Sequence, residues 1–353
     1  MKKLNIYIFA YARKNLGDDL FIEVITKRYK NANFTIAVSP EYYESLESIP
    51  NLQRIDYNDN AYSGIDINNY DAFVYIGGSI FSGKKEHMTG KTEQYEFIKK
   101  LKEVGKPFFF VGCNYPVKFD VEFNEITEKI FRICEDVCFR DKYSKSIFKE
   151  LDNVRSAPDV VLTFNPNKPK KNSGSLGISL IDLYKSYREP LRHNQEKYYD
   201  LIINTAKKFI ANGKQVSLFS FCKCEGDEEA VKLVYNNFTE KERELVNIVN
   251  YQNDYTDFLA KYGQMEYMIC TRFHSMILSL LFEQKIFVVS YNAKIKSVMN
   301  DLGENLSYVD LLGELDRSCI DESEFKAISN NTKDLVTKEA QGMFAMLDKF
   351  MRQ

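Results

Sequence analysis

Two α/β domains, each built on a mostly parallel sheet, are what this sequence predicts, and three observations carry the prediction. Strand-like and helix-like segments alternate along most of its 353 residues, a rhythm that right-handed crossovers turn into open parallel sheets. Residues 108–112 are apolar with little polar alternation, the pattern of a strand covered on both faces. The polar stretch 165–174 holds two prolines and a glycine, and after it the rhythm restarts.

Taken in order, 4–10 is rich in β-formers and reads as the first strand, followed by Asn15-Leu16-Gly17-Asp18-Asp19 and an amphipathic helix over 20–29. Strands are expected at 34–38, 53–56, 72–76, 108–112 and 136–139, with helices at 42–48, 94–104, 123–133 and 143–151. A further apolar run, 160–162, follows Ala157-Pro158-Asp159. Beyond the break, strands are expected at 176–180, 216–221, 246–249, 266–270 and 286–290. Helices are expected at 195–211, stopped by Asn212-Gly213, and at 227–235, 256–262 and 275–282. Residues 333–350 set Val336, Ala340, Met343, Leu347 and Phe350 on one helical face, which predicts a terminal helix packing back across the domain junction. The expected division is a first domain at 1–165, a linker at 166–174, a second domain at 175–330 and the terminal helix at 331–353. Two such units form a cleft, and ligands of such sheets sit outside the carboxyl ends of the strands.

Composition removes several classes of function. The net charge is −2 and the pI about 6.1, so no global field draws the chain to nucleic acid or anionic lipid. No apolar run approaches the roughly 20 residues of a membrane helix, and the N-terminal MKKLNIYIFAYARK reads as a strand rather than a signal peptide. Seven scattered cysteines point to free thiols in a reducing cytoplasm. Cys134/Cys138 and Cys222/Cys224 lack the second pair that zinc spacing needs, so no metal is expected. Cys113, with no companion His or Asn in sequence, reads as a packed thiol.

Chemistry gathers where strands end. Asn15 and Gly17 permit a tight turn, with Asp18 or Asp19 capping the next helix. Gly77-Gly78-Ser79 allows a backbone to approach a ligand, but it is neither a Walker loop nor a G-x-G-x-x-G fingerprint. Arg140-Asp141 opens a helix, either as a salt-bridged start or as a cation for a ligand. The sharpest signal is Arg272 and His274, one of only three histidines, at a strand-to-helix turn. There helix amides and an arginine favour an anion, and an imidazole suits proton transfer near neutral pH. The plainer alternative is a structural histidine capping the helix.

The ordered set of motifs resembles the polysaccharide pyruvyl transferase family. It comprises Asn15-x-Gly17-Asp18, Gly77-Gly78, Arg140-Asp141-x-x-Ser144, Pro158-Asp159, Asp227, Thr271-Arg272-x-His274 and Tyr291-x-x-Lys294. The resemblance implies a GT-B-like fold, with two Rossmann-like domains facing across a cleft. It implies transfer of a pyruvyl group from phosphoenolpyruvate, as co-substrate, to two hydroxyls of a sugar in a cell-surface polysaccharide or its lipid-linked precursor. A cyclic ketal forms and phosphate leaves, with no cofactor or metal required. It makes His274 the acid–base residue and places Arg272, Arg140 and Lys294 on the donor. Asn15, Asp18, Asp19, Gly77, Gly78 and, in the turn after 108–112, Asn114 would serve the sugar. A lipid-linked acceptor would bring the protein to the inner membrane face without insertion.

The sequence departs from the family's turns at Gly112-Cys113-Asn114-Tyr115-Pro116, which bears on the acceptor, and at Phe282-Glu283-Gln284-Lys285, a loop difference. Two rival readings are a GT-B glycosyltransferase using a nucleotide sugar and a non-catalytic sugar-binding relative.

Overall fold

The structure, a computed structural model, describes residues 3–57 and 62–352; Met1 and Lys2 of the N-terminal stretch lie outside them. The chain makes two compact units. The first takes the chain up to Ala12, Asp18–Phe164 and the segment from Val336; the second takes Arg13–Gly17 and Asn165–Leu335.

The first unit runs through β1 (Asn5–Phe9), α1 (Leu16–Arg28, whose first two residues count with the second unit), β2 (Asn33–Ala37), α2 (Pro40–Tyr43), β3 (Leu52–Ile55) and β4 (Ala72–Ile76). It continues with α3 (Met88–Glu103), β5 (Phe108–Cys113), α4 (Val121–Ile133), β6 (Asp136–Phe139), α5 (Lys142–Ile147) and β7 (Val154–Ser156). Its strands are all parallel, in the order β3-β2-β1-β4-β5-β6-β7. Every residue of β5 is buried, as its unbroken apolar run requires. An aromatic cluster including Phe81, Phe110, Phe131 and Phe148 fills one side of the sheet.

The second unit holds β8 (Asn172–Ser179), α6 (Gln195–Ala211), β9 (Val216–Ser220), α7 (Asp227–Asn236), α8 (Glu240–Arg243), β10 (Val246–Asn250) and α9 (Tyr255–Gly263). Then come β11 (Met265–Cys270), α10 (Phe273–Leu281), β12 (Lys285–Ser290), α11 (Ala293–Leu302), β13 (Tyr308–Asp310) and β14 (Lys326–Ala327). The parallel order is β10-β9-β8-β11-β12-β13, with β14 antiparallel on β12. Each sheet therefore winds outward in both directions from a central pair, β1/β4 in one and β8/β11 in the other. Crevices at such switch points, outside the strand carboxyl ends, are where ligands bind.

Several expected elements come out differently. The helix expected at 42–48 is only the single turn α2, and 143–151 shortens to α5. The apolar run 160–162 lies in a 3-10 turn, Val160–Thr163, because the Asp159 carboxylate caps it by accepting from Val161 N at 2.9 Å. The strand at that sheet edge is β7 instead. The last residues of the polar break, 172–174, already belong to β8. The single terminal helix is broken into α12 (Asn330–Ala340), a 3-10 turn (Gln341–Phe344) and α13 (Ala345–Met351). At the break Arg155 donates to the Gly342 and Met343 carbonyls while it also grips Asp136. Arg28, bidentate on Asp348, and the Tyr29 hydroxyl tie α13 to α1.

One core cation has a measurable consequence. Lys91 Nζ lies 4.3 Å from the Phe81 ring centroid and donates to Gln94 Oε1 at 2.7 Å, and Gln94 in turn donates to the Tyr62 hydroxyl. Burial pulls its ammonium down to about 7. The folded state then sheds this proton near pH 7 while the unfolded chain keeps it to about 10, so stability rises as pH climbs through that window. Lys91→Met is expected to stabilise the protein most at pH 6. Its advantage in urea denaturation should shrink by about 2 kcal/mol between pH 7 and 8.5, from about 1.4 kcal/mol per pH unit. A difference that stays flat with pH would refute this.

Candidate functional site

In the second unit, the turn after β11 is held from below. Ser179 Oγ, at the end of β8, accepts from Thr271 N at 2.9 Å and Arg272 N at 3.3 Å and donates to Ile269 O. The turn thus sits on the β8/β11 switch point. Arg272 caps the apolar, buried helix α10 through its backbone, its carbonyl accepting from Ser275 N at 3.1 Å and Met276 N at 3.4 Å. The Arg272 guanidinium is buried against two carboxylates. Nε reaches Asp227 Oδ2 at 2.9 Å, Nη2 pairs with Asp227 Oδ1, and Nη1 meets Glu225 Oε2. Asp227 is fully buried and also accepts from Phe221 N and Cys222 N, both at 3.0 Å. Burial works against the Arg272 charge, but Asp227 and Glu225 outweigh it and hold the guanidinium protonated.

Glu225 is a junction. Its Oε2 also accepts from Arg188 Nη2 at 3.1 Å, and its Oε1 from Asn15 Nδ2 at 3.3 Å. Burial raises its carboxyl, yet Arg272 and Arg188 bring the net shift below the usual range. Arg188 is itself buried, anchored on Asp182 O at 2.7 Å, with its guanidinium 5.9 Å from the Tyr291 ring centroid. Residues 13–17 belong to this cluster: Leu16 N donates to Phe221 O, and Asn15 Oδ1 accepts from Gly17 N at 3.2 Å. Gly17 lies against the imidazole so closely that a Cβ there would stand 1.7 Å from His274 Nδ1. His274, in the first turn of α10, is half-buried. Lys294 is the second residue of α11, just past the end of the neighbouring strand β12, and is also half-buried.

The first unit carries a parallel arrangement. Arg140, after β6, is buried; Nη1 meets Asp159 Oδ2 at 3.0 Å and Nη2 meets Asn114 Oδ1 at 2.8 Å. Its guanidinium lies over Gly78, where a Cβ would come within 2.6 Å of Nη1. Asn114 N donates to Gly78 O, and Ser79 Oγ leans on Asn114 Oδ1. Asp141 caps α5 by accepting from Ser144 N at 2.7 Å and from Ser144 Oγ at 2.9 Å; that hydroxyl in turn accepts from Tyr115 N.

Comparison with known proteins decides the family. A sequence profile described as "Polysaccharide pyruvyl transferase" matches residues 15–293. The chain belongs to the polysaccharide pyruvyl transferase family. Among solved structures it is similar to Anabaena Alr3699/HepE in complex with UDP-glucose, with 10% identity, a TM-score of 0.59, and 99% of each chain covered. UDP-GlcNAc 2-epimerase from Methanocaldococcus jannaschii gives 10% identity and a TM-score of 0.57, covering 99% of this chain and 100% of that one. At such identity the likeness is one of fold, the GT-B fold.

In this member of the pyruvyl transferase family the motifs meet in pairs. Arg140 is the ion partner of Asp159 in Pro158-Asp159 and packs on Gly78. Arg272 is the ion partner of Asp227, and His274 packs on the glycine of Asn15-x-Gly17. Some expected roles shift accordingly. Both arginines already hold carboxylates, so neither presents an uncompensated bidentate fork. Asn15, not Asp18 or Asp19, caps α1, because the helix begins at Leu16. Asp19 is buried and accepts from Ser45 Oγ at 2.8 Å, a packing bond within the first unit, while Asp18 stays half-buried in the first turn of α1. Asn15 lies with Arg272 and His274 rather than with Gly77, Gly78 and Asn114. Sequence reasoning missed Ser179, Arg188 and Glu225. Glu225 left a faint signal, an acid beside a glycine at a strand end; Arg188, in an aperiodic 3-10 stretch, left none.

Proposed function

We propose that this member of the family transfers pyruvate from phosphoenolpyruvate to two hydroxyls of a sugar, on a cell-surface polysaccharide or its lipid-linked precursor. The supporting observation is the turn that carries Arg272 and His274 at the β8/β11 switch point, with an imidazole in the first turn of α10. The charges of Arg272 and Arg188 are balanced by Asp227 and Glu225. The positive end of the α10 dipole and the Lys294 ammonium are the charges this reading sets against the donor's phosphate and carboxylate. Arg272 fixes the turn at which α10 begins.

The chemistry asks for one proton-transfer group. One hydroxyl oxygen bonds to the enol carbon while the methylene carbon gains a proton and becomes methyl. The second hydroxyl oxygen then displaces phosphate, the carbon–oxygen bond to phosphate breaks, and the second proton is released. His274 takes and returns these protons near neutral pH. Asn114 and the Gly77-Gly78 turn are assigned to the sugar.

Phosphoenolpyruvate incubated with a panel of sugars should release phosphate, with one product gaining a pyruvate less one water by mass spectrometry. His274→Asn should lower kcat by about 10²–10⁴-fold. Turnover of UDP-sugars with no response to phosphoenolpyruvate would favour the glycosyltransferase reading and overturn this one.

A further inference from the structure

We propose that Glu225 and Asn15 act as a positioning pair, setting the His274 imidazole by pinning residues 13–17 against it. The route is short and each link is a contact. Arg272 and Arg188 fix the Glu225 carboxylate, Glu225 Oε1 accepts from Asn15 Nδ2, and Asn15 Oδ1 accepts from Gly17 N. Gly17 then abuts the ring, with the least room on its Nδ1 side. The segment is also pinned by the Asn15–Cys222 bridge and by Leu16 N on Phe221 O, three and four residues before Glu225. Its backbone is not relaxed: Lys14 stands at φ 51°, a left-handed conformation that costs a non-glycine residue about 1 kcal/mol or more and persists only where surroundings enforce it.

The charges explain why the pair is an amide and a carboxylate. Glu225 faces Arg272 and Arg188, with Asp227 close by on the same arginine, so the four cancel. The fifth group must donate to Glu225 without adding charge and must accept from Gly17 N on its other side. A side-chain amide does both from two separate atoms, and Asn has the reach for an i to i+2 bond. Asn15→Asp keeps the turn acceptor but sets a second carboxylate at about 3 Å from the first, which repels it.

The kinetic part of this inference rests on the pyruvyl-transfer reading; the geometric part does not. Four proteins test it: wild type, Asn15→Asp, Glu225→Gln and the double variant, which exchanges the amide and the carboxylate between the two positions. The chain has three histidines, so His87→Gln and His193→Gln identify the His274 ring signals in nitrogen-15 spectra recorded without substrate. Asn15→Asp should move those signals and lower kcat about 10–100-fold, with KM for phosphoenolpyruvate changed less than about threefold. The double variant should return both towards wild type, which a general loss of stability would not produce. Unmoved His274 signals in a folded Asn15→Asp protein, or a double variant no better than the single one, would overturn the proposal. A wild type inert towards phosphoenolpyruvate overturns the donor reading and leaves the spectroscopic comparison standing.

Discussion

Arg272→Met should cost about 3–5 kcal/mol of stability, the penalty for leaving one member of a buried ion pair alone. Asp227 is the member left behind. It is fully buried, and without Arg272 it keeps only the two amide donors, Phe221 N and Cys222 N. Glu225 suffers less, since Arg188 and Asn15 remain. The pH dependence has a definite sign. Burial already raises the Asp227 carboxyl in the wild type against the pull of Arg272, and in the variant it rises further above its unfolded value of about 3.9. Its carboxylate is therefore penalised at neutral pH, and protonation relieves the penalty as pH falls. Urea denaturation at pH 7.5 and pH 5 should show the deficit relative to wild type shrinking at the lower pH. Arg272→Lys should fall between the two, because an ammonium keeps the charge but cannot span both Asp227 oxygens and Glu225 at once. A loss below about 1 kcal/mol for Arg272→Met would mean that solvent screens the pair, contrary to its burial.

Which parts of this were legible beforehand follows from the range of the interactions involved. β4, β6 and α6 have the boundaries their sequences predict, because apolar runs, turn residues and the Asn212-Gly213 stop are local signals. The terminal helix was not legible as two helices, since the side chain braced at the break is Arg155, 187 residues before the Gly342 carbonyl it meets. The same holds at the sites. Arg140 and Asp159 are visible as separate motifs, but their ion pair exists only once β6 and β7 lie side by side and the Val160–Thr163 turn aims the carboxylate. That Arg272 and His274 sit at a strand-to-helix turn was readable from residue pattern alone. The neutralisation of Arg272 was not, because Asp227 and Glu225 reach it from the turn between β9 and α7, two strands away in the sheet. Residue identity announces what a group can do; only the fold announces what it is already doing.

Gly17→Ala separates position from stability more cleanly than any substitution of the histidine itself. Gly17 is the second residue of α1, where alanine is the better helix former by about 1 kcal/mol. On local grounds the substitution should therefore not weaken the helix. The added Cβ, however, would lie 1.7 Å from His274 Nδ1, 2.4 Å from Cγ and 2.5 Å from Cε1, so the ring must give way by more than 1 Å. Displacement of a proton-transfer group by that distance costs about 10²-fold or more in rate. The expected result is a folded protein with a melting temperature within a few degrees of wild type, about what 1 kcal/mol produces, and a kcat reduced at least 10²-fold. Gly78→Ala provides the contrast in the first unit. There the neighbour is the Arg140 guanidinium, at 2.6 Å and already tied to Asp159 and Asn114, so the strain falls on an ion pair and stability should drop. Wild-type turnover by Gly17→Ala would show that the imidazole tolerates displacement, and with it His274 would lose its place as the proton-transfer group.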